Sequence, residues 1–239
     1  MEKPRKSFAL WITGHILRGL AVTVVFAICA LLLWRVFIAS RVPGELRRLS
    51  PNAPLAEAYA ASDELTLFTQ EQATVTRGEN NPGYFGVPRF TFIKEARQVQ
   101  VIFRYNNGTL KKVAEDLSLN SALPRGEQVF DLSLLVMRDL TPEDTADNVD
   151  GSESIGTERI SPTSCEVSTT LLYTYYRLTF DGVDVGEDAL TVFLDVYFGE
   201  APDYSAAPLG TLRLYHNESE NLYESLSRKE AKALEAFAK

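Results

Sequence analysis

The sixteen residues between Arg18 and Arg35 carry no charge, and only Thr23 and Cys29 among them are even mildly polar. No other feature constrains the fold so sharply. A helix rises about 1.5 Å per residue, so roughly 20 residues cross a hydrocarbon layer about 30 Å thick. Gly19 to Ile38 has that length if Arg35, near its end, reaches its guanidinium back to the interface. Trp34 stands at the same depth, where amphipathic rings gather. Trp34, Arg35 and Arg41 are therefore the expected membrane-interface residues. The core helix of a soluble protein rarely runs so far without a polar position. A cleaved signal peptide would be shorter, and Phe37-Ile38-Ala39 lacks the small-x-small pattern that precedes a cut. The chain reads as a basic tail over residues 1–16 and an uncleaved signal anchor over residues 17–39, with membrane lipid as its partner.

The side on which the rest of the chain lies is less strongly encoded. Lys3, Arg5, Lys6 and Arg18 flank one end of the anchor, and Arg35, Arg41, Arg47 and Arg48 flank the other. The positive-inside rule gives almost a tie. Residues 49–239 contain 30 acidic and 16 basic side chains, a net of −14, whereas residues 1–48 are net +6. A short basic tail inside and a large acidic domain outside is the arrangement expected, which places a single-pass protein in the cell membrane with its C-terminal domain extracytoplasmic. The same acidity argues against nucleic acid, because phosphate backbones demand a positive footprint.

Cys29 lies within the span and Cys165 beyond it, so the two cannot pair in a folded monomer. The outer domain is then independent of any internal disulfide, unlike a small secreted scaffold. Cys165 reads as a plain small residue rather than a reactive thiol. Asn107-Gly-Thr and Asn217-Glu-Ser match glycosylation sequons, which matter only in a secretory pathway that this cysteine usage does not favour.

Residues 40–63 read as a juxtamembrane linker. Pro43-Gly44, Pro51 and Pro54 break any long helix, and Leu55 to Ala61 supports one short helix at most. Arg41, Arg47 and Arg48 are expected against lipid headgroups. From Glu64 the period changes to two. Val99, Val101, Phe103 and Tyr105 alternate in Arg97–Tyr105, as do Phe130, Leu132, Leu134 and Val136 in Gln128–Met137. Ser168–Phe180 reads as the longest strand, followed by Leu190–Phe198 and a last strand at Leu212 and Leu214. Asn106-Asn107-Gly108 is a hairpin signal, with Leu110–Val113 as the return strand. Seven or eight such strands predict a mainly β domain over residues 64–239, an antiparallel β-sandwich of Ig-like architecture. The Cys…Trp…Cys core of a true immunoglobulin domain is absent. A short helix closes the chain, capped by Ser227 and Glu230, with Ala231, Leu234 and Phe237 as its apolar face.

Candidates for chemistry are few. His216 with Cys165 cannot supply the usual three or four zinc ligands, and no Gly-x-Ser-x-Gly elbow accompanies a nucleophile. Asp147–Gly151 hints at a calcium loop, but that alignment puts Ala146 and Thr157 where ligand oxygens are required. The polar stretch Thr141–Glu166 reads as a mobile acidic loop. Asn80–Phe92 reads as a loop presenting Tyr84 and Phe85, which with Leu234 and Phe237 are the candidate partner contacts. No catalytic residue, metal ligand or cofactor site is assigned. The expected function is a non-enzymatic interaction or structural module held at the membrane beside a protein partner, as in a subunit of an envelope complex. An anchored hydrolase with a carboxylate pair and a ligand-binding sensor domain are the alternatives.

Overall fold

The computed structural model describes residues 8–77, 85–116, 123–139, 155–184, 192–199, 202–214 and 218–237. The chain divides into two compact units, Met1–Arg41 and Val42–Lys239. The described residues of the first form one helix, α1 (Phe8–Ser40), of 33 residues. At about 1.5 Å per residue it extends roughly 50 Å. Its stretch His15–Ser40 is long and apolar enough to cross a membrane, and none of its most apolar window is buried. Thr23 donates its hydroxyl to the Gly19 carbonyl at 3.0 Å, so the most polar side chain of the run is satisfied within the helix. Near the C-terminal end Trp34 and Phe37 lie 6.2 Å apart, and the Arg41 guanidinium sits 4.2 Å from the Phe37 ring centre.

The second unit is mainly β. Its strands are β1 (Thr66–Arg77), β2 (Phe85–Ile93), β3 (Gln98–Asn106), β4 (Phe130–Asp139), β5 (Ile155–Ile160), β6 (Ser164–Thr169), β7 (Tyr173–Asp181), β8 (Val192–Phe198), β9 (Gly210–Leu214) and β10 (Glu218–Asn221). Neighbours pair antiparallel in the order β5-β4-β8-β9-β1-β2-β3-β7-β6, with β10 beside the start of β1. β1 belongs to two sheets. Leu67 to Thr74 pairs with β2, then Val75 and Arg77 pair with β9 across a bulge. An extra residue bends a strand and increases its twist, which lets one strand pass from sheet to sheet.

Alternate residues of both sheets point into one shared core. Phe90, Val99, Val101, Phe103, Leu178 and Phe180 come from the β1-β2-β3-β7 sheet; Phe130, Leu132, Leu134, Val192, Leu194 and Leu212 come from the other. Phe130 joins them, edge-on to Phe85 at 5.2 Å and to Tyr105 at 5.0 Å. The Tyr176 hydroxyl accepts from the Val129 N–H at 2.7 Å and donates to the Glu127 carbonyl at 3.1 Å. Burial, with Tyr105 alongside, pushes that hydroxyl's pKa far up, so it remains a neutral donor.

Four expectations change. Leu110–Val113 is no return strand; it lies in helix α3 (Thr109–Asp116), with Leu110, Val113 and Ala114 buried at helical spacing. Asn107 is pulled inward instead of turning a hairpin. Its side chain donates to the Thr170 carbonyl at 2.9 Å and accepts from the Thr174 hydroxyl at 2.6 Å, leaving that sequon closed. Ser168–Phe180 is not one strand but the hairpin β6–β7, turned by Thr170, whose N–H and hydroxyl both donate to the Tyr173 carbonyl. Within the expected acidic loop, residues 155–160 form β5 and residues 164–166 begin β6, the strands at the two ends of the strand order, where a polar sequence is compatible with pairing on one side. Asp147–Gly151 lies outside the described residues. Finally, the expected linker is not free: helix α2 (Ala53–Ala61) follows a segment from Val42 whose Leu46 and Leu49 are buried, and Leu55 is fully buried.

The C-terminal helices are α4 (Leu222–Ser225) and α5 (Arg228–Phe237). Ser227 and Glu230 form the reciprocal cap read from the sequence. Leu234 packs with Leu49, Leu55, Leu65, Leu67, Ile93 and Leu222 in a second cluster. That cluster and the segment 42–61 lie against the face of the β1-β2-β3-β7 sheet opposite the shared core.

Candidate functional site

The residues that alternate with the core on β2, β3 and β7 form rows across the sheet. Arg89, Ile102 and Arg177 stand in register, as do Thr91, Gln100 and Thr179. By sequence pattern this face should be wet. Instead Thr91, Gln98, Gln100, Ile102, Tyr175 and Thr179 are all buried. The cover is the segment from Val42 to Asn52, a strap whose leucines are inserted at two points. Leu46 packs on Ile102 and Tyr175, and Leu49 enters the helix-side cluster.

Burying a polar sheet face requires partners for every amide, since an unmade buried hydrogen bond costs about 1–3 kcal/mol. The strap supplies them. Gln100 accepts from the Ser50 N–H at 2.8 Å and donates to the Ser50 carbonyl at 2.9 Å and to the Gln98 side-chain Oε1 at 2.7 Å. Gln98 donates to Asn52 and to Asp181, each at 2.7 Å. Asn52 donates to both Asp181 oxygens, at 3.1 and 3.2 Å, while its own oxygen caps α2 by accepting from the Leu55 N–H. Thr163 adds a third donor to Asp181. The Asp181 carboxylate is thus surrounded by neutral donors.

Two arginines bind the strap's backbone directly. Arg89 donates to the Arg47 carbonyl at 2.6 Å, and Arg177 donates to the Glu45 carbonyl at 3.2 Å while pairing with Glu166. Arg177 Nε is buried without a hydrogen-bond partner. With Arg47 and Arg48 they line a shallow, half-open depression that Thr91, Gln100 and Ile102 also border. Glu230 pins the next position by accepting from the Leu49 N–H at 2.9 Å. Burial alone would raise its pKa, but that bond, the Ser227 hydroxyl and N–H, and nearby Arg89 together hold the carboxyl below its ordinary range.

The other sheet carries a different cluster on the face away from the core. Arg159 donates to Ser133 at 2.6 Å and to Asp195 at 3.2 Å, and Asp195 also accepts from Thr211 at 2.8 Å. The guanidinium lies about 5 Å from the rings of both Tyr197 and Tyr204, and Tyr204 donates to Asp131 at 2.7 Å. Asp131 on β4 and Asp195 on β8 both take part in this cluster. Each is engaged by internal donors.

The sequence-derived contacts fall unevenly on this geometry. Phe85 leaves the partner-contact set, because β2 turns its ring into the core between Phe103 and Phe130. Leu234 leaves it too, only 1% exposed beneath α5. Phe237 remains exposed at 56%, while Tyr84 and His216 lie outside the described residues. Trp34 and Arg35 are exposed on α1, and Arg41 follows its last turn. Cys165 is free and half-buried on β6. Burial, then the charges of Asp131 and Glu166, push its thiol up to about 11, so the nucleophilic thiolate is scarce at neutral pH. Among the described residues no three His, Cys, Asp or Glu side chains gather as a metal site.

Gln98, Gln100, Asn52 and Asp181, with the strap itself, escaped the sequence reading. Their alternation looks the same whether the facing surface is water or chain. The legible signal was Leu46, Leu49 and Leu55, apolar residues too regularly placed for a solvated linker. Comparison with protein-family models, curated proteins and solved structures gave no match.

Proposed function

We propose that this chain is a single-pass membrane protein whose Val42–Lys239 unit is an Ig-like β-sandwich acting outside the membrane as a non-enzymatic interaction or structural module, a subunit of a larger envelope complex. The observation that carries the reading is α1, whose apolar side chains are exposed all round, Phe26 at 75% and Leu33 at 71% among them. Such a surface has no counterpart in water and matches hydrocarbon. The engaged carboxylates of the attached unit support the second half of the reading. Asp181, Asp195 and Asp131 are occupied by internal donors, an arrangement that fixes a scaffold rather than leaving an acid and a base poised toward a cleft.

The experiment is photo-crosslinking in native membranes from exposed Phe237 on α5, with a matched position on the opposite face of that helix as control. A discrete protein adduct specific to position 237 is the result expected. Turnover of a cell-wall or peptide substrate by the purified chain, abolished in Asp131→Asn/Asp195→Asn while the fold persists, would replace this reading with the hydrolase.

A further inference from the structure

We infer that the depression formed by Arg47, Arg48, Arg89 and Arg177 binds the phosphate of an anionic phospholipid headgroup, an inference that rests on the reading of α1 as a membrane anchor. Residues 42–239 hold 31 acidic and 18 basic side chains, a net of −13, and yet four arginines line one depression. Two have carboxylates beside them, Glu166 bound to Arg177 and Glu230 near Arg89. Among the described residues, Arg47 and Arg48 form no ion pair. These two exposed forks are therefore available, and the buried Nε of Arg177 adds an unused donor in the wall.

The backbone carrying Arg47 and Arg48 is held from both sides. Buried Leu46 and Leu49 bracket it, Arg89 grips the Arg47 carbonyl, Glu230 the Leu49 N–H and Gln100 the Ser50 backbone. Charges needed only for solubility require no such fixation. Holding them before the ligand arrives reduces the entropy lost on binding, and planar guanidinium forks match phosphate oxygens two at a time. The open form of the depression fits a group entering from a surface rather than a ligand enclosed on all sides. Chain connectivity supplies the source. Arg47 follows the last residue of α1, Ser40, by seven positions. Seven extended residues span at most about 25 Å, so the pair is tethered within reach of the headgroup layer.

The test uses the full chain in detergent micelles, titrated with phosphatidylglycerol or phosphatidylcholine, with binding read by native mass spectrometry and thermal shift. Arg47→Gln/Arg48→Gln is compared with Lys111→Gln/Lys112→Gln, a charge-matched pair on α3. Phosphatidylglycerol should bind tighter than phosphatidylcholine, weaken roughly thirtyfold in the arginine variant and be unaffected in the lysine variant. Equal loss in both variants, or no preference in the parent, would overturn the inference. Inorganic phosphate that saturates the parent with the same arginine dependence, without a phosphatidylglycerol preference, would reassign the pocket to a soluble anion and overturn the lipid source. Alkaline carbonate extraction reads the anchor separately. Retention without lipid preference defeats the pocket alone, whereas release of the chain from membranes defeats the anchor reading beneath it.

Discussion

Helix α1 and the core strands use the same side chains for opposite ends. Val22, Phe26 and Leu33 of α1 are 69%, 75% and 71% exposed, while Val99, Phe103 and Leu132 of the β unit are fully buried. In the β unit every second residue is polar or faces another layer, so its apolar surface closes on itself. In α1 the apolar residues occupy the whole circumference, and none of the helix's own surface can close on the rest. The contrast teaches that apolarity alone does not define a core. Its period does: two for a sheet with a distinct inner face, none for a helix that is apolar all round.

The sharpest way to break the comparison is to charge the exposed surface. Phe26→Asp/Ala30→Asp places two carboxylates mid-span and should oppose insertion by about 6 kcal/mol, releasing the chain from membranes on carbonate extraction. In a helix meant for water the same change would be harmless. Next comes the shared core. Phe130→Ala should destabilise the β unit by about 3–5 kcal/mol in a urea melt, because two edge-on ring contacts and a packed volume vanish together. Gln98→Ala tests the polar layer. It leaves Asn52 and Asp181 short of a donor and should destabilise the unit by about 1–3 kcal/mol, with faster amide exchange along residues 49–55. Smallest is the pH response of the strap. Because Glu230 has a folded pKa below its free value, its contribution is present above the free value and is lost as pH falls through the folded one. Exchange at the Leu49 amide, corrected for the intrinsic rate, should therefore rise on acidification in the parent and stay flat in Glu230→Gln.

Much of the architecture was legible. Three of the four long runs, and the last strand at Leu212 and Leu214, correspond to single strands, and Ser227 with Glu230 caps the last helix as their spacing implies. The errors share one physical origin, which is that tertiary context decides what faces a residue. Asn107-Gly108 has hairpin chemistry, but the Thr170–Tyr173 turn captures the asparagine and α3 buries Leu110 and Val113 instead. Tyr173 begins a second strand because Thr170 offers its hydroxyl to the backbone there. At the candidate site the basic character of Arg47 and Arg48 was readable. Their convergence with Arg89 and Arg177 was not, since those residues lie about 40 and 130 positions away and meet only through the β2-β3-β7 register.

The central claim is a membrane-anchored β unit facing outward, and one labelling experiment tests it most directly. Cys165 is a poor reporter because its thiol is half-buried and rarely ionised. Leu171, at the tip of the β6–β7 hairpin, is 81% exposed. Leu171→Cys in a Cys29→Ser/Cys165→Ser background should react with a membrane-impermeant maleimide in intact cells, at the same rate before and after permeabilisation. Reaction only after permeabilisation, at a site too exposed for burial to mimic that result, would place the β unit inside and contradict the account.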